Sequence, residues 1–240
     1  MKRRPNDLDE DVDLNSIRSL PEFAYARLRR GILTGKYEEG TPLRQEDLAS
    51  QFGISRLPVR EALGRLEAEG LVLQRPRRGY VVASLAPDEI EDIFDIRAML
   101  EERAGYLATL RRTQNDIAEV EAFANDMDTL VIRQASDIDL FAQRNYAFHA
   151  RLFEASGRPQ LCRTMIVLRN SVERYIRVSA RVAENLDRAK AEHHQIVDAF
   201  RRGDAETVGR LSRQHCETVC TNLLARLRDA RRQEPGEPAK

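Results

Sequence analysis

Three of the four histidines have neighbours that would turn them inward on a helix, and inward imidazoles from separate helices form a metal-ligand set. On a wheel of about 100° per residue, His149 falls with Ala142, Tyr146, Leu152 and Phe153. His193 falls with Leu186, Ala189, Ile196, Val197 and Phe200, and His215 with Val208, Leu211 and Val219. Asn145 precedes His149 by four residues and shares its face, so its side-chain oxygen is a fourth candidate ligand. His194 lies off the inward stripe and should see solvent. A single inward His is more often a hydrogen-bonded core residue than a ligand. Three on three helices favour a divalent metal, with Zn expected first and Ni or Mn as alternatives. Metal affinity should then fall as pH drops through the imidazole range, near ~6.5. Cys216 and Cys220 share a different face and read as partly buried thiols, not ligands.

Two arginines are candidates for holding an anion beside that site. Arg97 lies on the apolar stripe Ile90, Ile93, Leu100 and Ala104, where a guanidinium is costly without an anionic partner. The partner is either Glu101, one turn on, or the carboxylate of a ligand. Arg174 is a weaker candidate, with surface charge as its competing role.

A second group of residues points to a polyanion. Ser55, Arg56 and Arg60 fall at the start of a helix that follows a tight turn, and Arg56 and Arg60 share one face. An arginine there can take a guanine edge bidentately or clamp a phosphate. Arg77 and Arg78 fall at the tip of a hairpin, within reach of a minor groove. Each alone is ordinary surface charge, but all four sit where a DNA-binding module makes contact.

The elements that position these residues are legible from periodicity and punctuation. Phe23, Ala26, Leu28 and Ile32 mark a helix that ends near Gly35, and Gln45 to Phe52 is a short second one. Gly53-Ile54-Ser55 is the turn, Ser55 is placed to N-cap the third helix, and Pro58 falls in its first turn. Val59, Ala62, Leu63 and Leu66 form its buried stripe and Gly70 stops it. Leu71 to Gln74 and Tyr80 to Val82 are β-rich, joined by Pro76 to Gly79. Helix, helix, turn, helix, hairpin in about 60 residues is a winged helix-turn-helix. Beyond Pro87 the chain reads as six helices, near 87–111, 114–134, 137–156, 159–182, 185–202 and 204–231. The expected class is therefore mainly α, a winged N-terminal module followed by an all-α bundle. Its parts are an arm over 1–20, the DNA-binding module over 21–83 and a linker over 84–88. The helical domain then covers 89–231, with a disordered tail over 232–240.

Composition narrows the functional classes. The 240 residues carry 39 basic and 39 acidic side chains, yet residues 21–83 are net positive by three. Six Arg face three Glu between Arg56 and Arg78, a local patch on a neutral chain. There is no run of 18 apolar residues, so no membrane span is expected. Three sparse cysteines and an N-terminus without an apolar core point to a reducing cytoplasm. No H-E-x-x-H and no placed general base are found, so an enzyme is not expected.

The stretch G-I-S-R-L-P-V-R-E-A-L-G-R-L-E-A-E-G-L followed by V-L-Q-R-P-R-R-G-Y-V-V resembles the GntR family of bacterial transcription regulators. The resemblance implies DNA contacts from Arg56, Pro58, Val59, Arg60 and the wing around Gly79. Many relatives carry Arg where this chain has Glu46, a role that Arg44 can take over. The helical half resembles the FadR-like branch, whose FCD domain often holds a metal through D-x-x-x-H and two later His. Here the first motif is N-Y-A-F-H, with Asn145 in place of Asp, and the later ligands fall at His193 and His215. The loss of one negative charge implies weaker affinity. The family also places an Arg of the first effector helix at the ligand pocket, which favours Arg97. The resemblance thus implies a homodimeric regulator, more often a repressor, that binds operator DNA and responds to a small carboxylate. A metal sensor, a metal-dependent hydrolase and a ligand-free architectural binder are the alternatives.

Overall fold

A computed structural model describes residues 19–76, 79–179 and 183–233. They form two compact units that divide between Ser84 and Leu85. Of the arm expected over 1–20, residues 1–18 lie outside the described residues and Leu20 already opens a helix. The wing tip at Arg77 and Arg78 and residues 234–240 of the tail expected over 232–240 also lie outside them, while a helix runs on to Gln233.

The first unit runs α1 (Leu20–Leu33), β1 (Pro42–Leu43), α2 (Gln45–Phe52), α3 (Arg56–Ala68), β2 (Val72–Arg75) and β3 (Gly79–Val82). Ser19 caps α1 by accepting from the Glu22 amide. The strands make an antiparallel sheet in the order β1-β3-β2, with Val72 opposite Val82 and Arg75 opposite Gly79. Strand β1 was not expected, since two residues are too short to show a period of two. Gly53 takes the left-handed region, φ 67°, and so ends α2 and redirects the chain into α3. Leu28, Ile32, Leu63, Leu66 and Val82 meet in one core, so the stripe read from sequence on α3 is the stripe it buries.

The second unit is six helices, α4 (Pro87–Arg111), α5 (Gln114–Asp128), α6 (Ala135–Glu154), α7 (Pro159–Ser179), α8 (Ala183–Arg202) and α9 (Ala205–Gln233). Pro87, placed in a linker by sequence, is the first residue of α4, a position where its missing N–H costs nothing. Helix α5 stops at Asp128, six residues short of expectation. The Asp137 carboxylate accepts from the Arg133 and Gln134 amides and so starts α6 independently. Helices α4 and α9 pack along their length because small residues face each other. A Cβ on Gly105 would come within 2.9 Å of Ser212 Oγ, and one on Gly209 within 3.0 Å of the Glu102 carbonyl. This close approach sets the depth at which α9 presents His215. Among the described residues, no helix is long and apolar enough to cross a membrane.

Candidate nucleic-acid interface and metal centre

In the winged unit, the N-terminal end of α3 is left to solvent. Arg56 and Arg60 are exposed one turn apart, and Leu57 between them keeps 53% of its surface in water. Ser55 occupies the N-cap position, yet its hydroxyl makes no capping bond and is available to another acceptor or donor. Arg44 is exposed at the N-cap of α2. Gly79 begins β3 with φ 77°, a conformation that glycine tolerates and that a hairpin end requires. Pro58 and Val59, expected at the DNA, are instead buried, Val59 completely. They sit on the inward stripe of α3 and fix its position, so neither side chain is free to touch a base. Leu57 is the residue that sequence reasoning passed over. An apolar side chain flanked by two arginines and one turn from the core stripe was the available signal.

In the helical unit, His149 from α6, His193 from α8 and His215 from α9, each expected to face inward, come together. One ring nitrogen from each lies within 4.8 Å of the others. The rings are buried, and their centroids are 4.8 to 5.1 Å apart. His215 Nδ1 is 2.6 Å from Glu192 Oε2. That contact calls for a proton on Nδ1, so that Nε2 is the nitrogen left to face a metal. Among the described residues, His193 has no hydrogen-bond partner on either nitrogen, and neither His149 Nδ1 nor Asn145 Oδ1 has one. Burial, reinforced by the neighbouring imidazoles, holds the His149 and His193 pKa values well below 6.5. Both rings are therefore neutral, the form that ligates a metal. His194 is 40% exposed and pairs with Asp128, outside the cluster. Cys216 and Cys220 are buried, more completely than the sequence implied. Burial raises their pKa values, to about 11 for Cys220.

A small cavity of about 40 Å³ opens beside His149 and is lined by Tyr146, Phe153, Met165, Ile166 and Arg169, among others. Arg169 on α7 is 8% exposed, and among the described residues its buried Nε and Nη2 atoms have no hydrogen-bond partners. Its nearest carboxylate, Glu173, stands 3.6 Å away, an ion pair beyond hydrogen-bonding distance. Burial lowers the Arg169 pKa, the direction expected for a cation short of compensation. Arg97 is not among the cavity's lining residues. It donates from Nε and Nη2 to Glu101 Oε1 at 3.1 and 2.8 Å. Burial, the largest single influence, opposes its charge, but Glu101, Cys216 and Glu173 together outweigh it and raise the pKa. The internal pair is therefore the arrangement present, and Arg169 takes the place at the cavity that sequence gave to Arg97. Arg174 is half-buried over the Tyr175 ring and does not line the cavity. Arg169 was findable by the criterion applied to Arg97, since it lies four residues after Met165 and three before Val172 on one apolar stripe.

Both units are similar to parts of known proteins. Residues 20–82 match the model for bacterial regulatory proteins of the gntR family, and residues 92–218 match the FCD domain. The HTH-type transcriptional regulator BphR of Paraburkholderia xenovorans (strain LB400) is 31% identical over 86% of each chain. The HTH-type transcriptional repressor GlaR of Escherichia coli (strain K12) is 31% identical over 81% of this chain and 91% of its own. The solved structure of E. coli McbR/YncC superposes with a TM-score of 0.72 at 23% identity. It covers 88% of this chain and all of that one, which shows the shared fold. BphR and GlaR carry the names of transcription regulators, and the matched family is one of regulatory proteins, not enzymes. The chain belongs to the GntR family of transcription regulators, with an N-terminal winged helix-turn-helix and a C-terminal FCD domain.

Proposed function

We propose that this regulator is a cytoplasmic homodimeric repressor of operator DNA, released when a small organic acid enters the helical unit beside a divalent metal. The observation that carries the reading is His193. It is 1% exposed, without a hydrogen-bond partner on either nitrogen among the described residues, and packed against two further buried imidazoles. Buried polar atoms left unpaired cost free energy, and a metal ion compensates all of them at once. His149, His193 and His215 would hold the ion, with the neutral Asn145 oxygen as a weaker ligand, and Zn fits such a set best. The bound ion supplies an electrophilic centre for a carboxylate or hydroxyl oxygen. Arg169 offers the unpaired Nε and Nη2 atoms that a carboxylate accepts bidentately. Phe153, Met165 and Ile166 give the acid's carbon skeleton an apolar wall. Addition of metal alone to metal-free protein, followed by operator titration with and without carboxylates, separates this reading from that of a metal sensor. Release by metal alone would favour the sensor.

At the DNA, Arg56 and Arg60 would contact the operator from the N-terminal end of α3, with Leu57 placed against a thymine methyl. The repressor role follows the names of relatives such as GlaR. Replacing both arginines with Ala should weaken operator binding by ~1–3 kcal/mol for each base contact. The loss should be read at fixed salt, because phosphate contacts vary with it. Unchanged affinity in the double variant would refute the assignment.

Dimerisation is supported by a face of α4. Ile96, Met99 and Leu110 are 44, 56 and 60% exposed and recur at helical spacing. Val167 on α7, a helix that packs on α4, adds 45% exposure. Large apolar side chains left in water along one face mark an interface. Met99→Glu with Leu110→Glu is expected to give a monomer by light scattering. It should also cost on the order of 10²-fold in affinity for a two-half-site operator. A wild-type monomer that protects one half-site would contradict the dimer.

A further inference from the structure

Glu46 stands where a DNA-binding surface should repel it. It lies in the first turn of α2, and its Oε1 is 2.7 Å from Arg56 Nη1 at the first position of α3. Both side chains are 68% exposed. A pair this open to water adds little to stability, so the fold does not account for it. Electrostatics count against it too, since phosphates repel a carboxylate within a Debye length, about 8 Å at physiological salt. A residue that weakens contact with every sequence is compatible with DNA binding when it sharpens contact with one.

The guanidinium shows how. It has two edges that can make paired donations, and the Glu46 contact engages Nη1. The edge formed by Nε and Nη2 stays intact, and two parallel N–H donors match O6 and N7 of guanine. A phosphate would compete for the same arginine, and the Glu46 charge disfavours that use. We propose that Glu46 is a specificity-determining positioning residue, which holds Arg56 away from the phosphates and presents its Nε–Nη2 edge to a guanine. This rests on the reading that α3 enters the groove with Arg56 at its leading end.

The test is selection from a randomised duplex library with the full-length protein, comparing wild type, E46A, E46Q, R56A and E46A/R56A. Wild type should enrich guanine at one position of each half-site. E46A and R56A should lose that preference at the same position, by about 5- to 20-fold. The double variant should lose no more than R56A alone. E46A should also bind an unrelated duplex several-fold more tightly. E46Q, which keeps an acceptor oxygen without the charge, should retain part of the guanine preference while gaining that non-specific affinity. If E46A instead tightens binding to all sequences alike and keeps the guanine preference, the proposal is overturned and Glu46 only opposes the polyanion. If R56A leaves the selected sequences unchanged, the placement of Arg56 in the groove fails, an outcome distinct from a failure confined to Glu46.

Discussion

His193→Ala is expected to strip the protein of its metal and of the thermal stabilisation that metal gives. Wild type should carry about one equivalent of divalent ion per chain, because three buried imidazoles form one ligand set. Binding to the folded state alone stabilises by linkage, ~2.7 kcal/mol at a free metal concentration of 100 Kd. For a chain of this size that is a rise in Tm of roughly 5–10 °C. The variant keeps only two of the three imidazoles, so added Zn, Ni or Mn should leave its Tm almost unmoved. Comparing both proteins in chelator separates loss of metal from loss of packing, since the packing cost persists without metal. Replacing His194 should change neither metal content nor the shift, because that ring pairs with Asp128 in solvent. Asn145→Asp should tighten metal binding, since a carboxylate adds a negative charge where the amide oxygen now stands unpaired. Elemental analysis with thermal melts decides the matter. Metal-free wild type whose Tm ignores all three ions would defeat the assignment.

The histidine cluster was legible because its helices are regular. A wheel needs only the phase of each helix, and α6, α8 and α9 keep theirs from end to end, so three residues 22 to 66 positions apart could be brought to one centre. The same regularity made Arg97 visible but left its partner undecided. A guanidinium on an apolar stripe can turn to Glu101 four residues on or to a ligand, and the wheel is the same for both. The choice depends on the three-dimensional distance to the cavity, which periodicity does not carry. Arg169 was missed although its stripe is equally clear. Pro58 and Val59 show the opposite limit. The recurring segment that contains them marks DNA-binding proteins, but residues can recur in such a segment because they hold the helix against its core. Burial separates the two roles, and the stripe Val59, Ala62, Leu63, Leu66 had already placed Val59 inside.

Metal-free protein is expected to lose stability steeply between pH 6.5 and 5. In the fold, His149 and His193 titrate well below 6.5 because burial, and then neighbouring imidazoles and Arg169, disfavour their charged forms. In the unfolded chain both should titrate near ~6.5. Above that pH neither state binds a proton at these rings, so they add no pH dependence. Below it the unfolded state takes up protons that the folded state refuses, and the equilibrium moves toward unfolding. The slope approaches ~1.4 kcal/mol per pH unit for one such group and about twice that for two. Asp116, Asp137 and Asp204 have pKa values lowered from 3.8 by local hydrogen bonds, so their contribution is lost only in a more acid range. The interval from 6.5 to 5 therefore isolates the histidines. Because the fold already keeps both rings neutral, protons displace metal from the folded protein at a more acid pH than free imidazole would imply. Chemical denaturation in chelator at pH 7.5 and 5.5 reads the effect directly. His149→Leu should remove about half of the slope, since it deletes one of the two refused protons. Equal stability at the two pH values would show that the rings accept protons in the fold, and the buried neutral cluster on which metal binding depends would have to be abandoned.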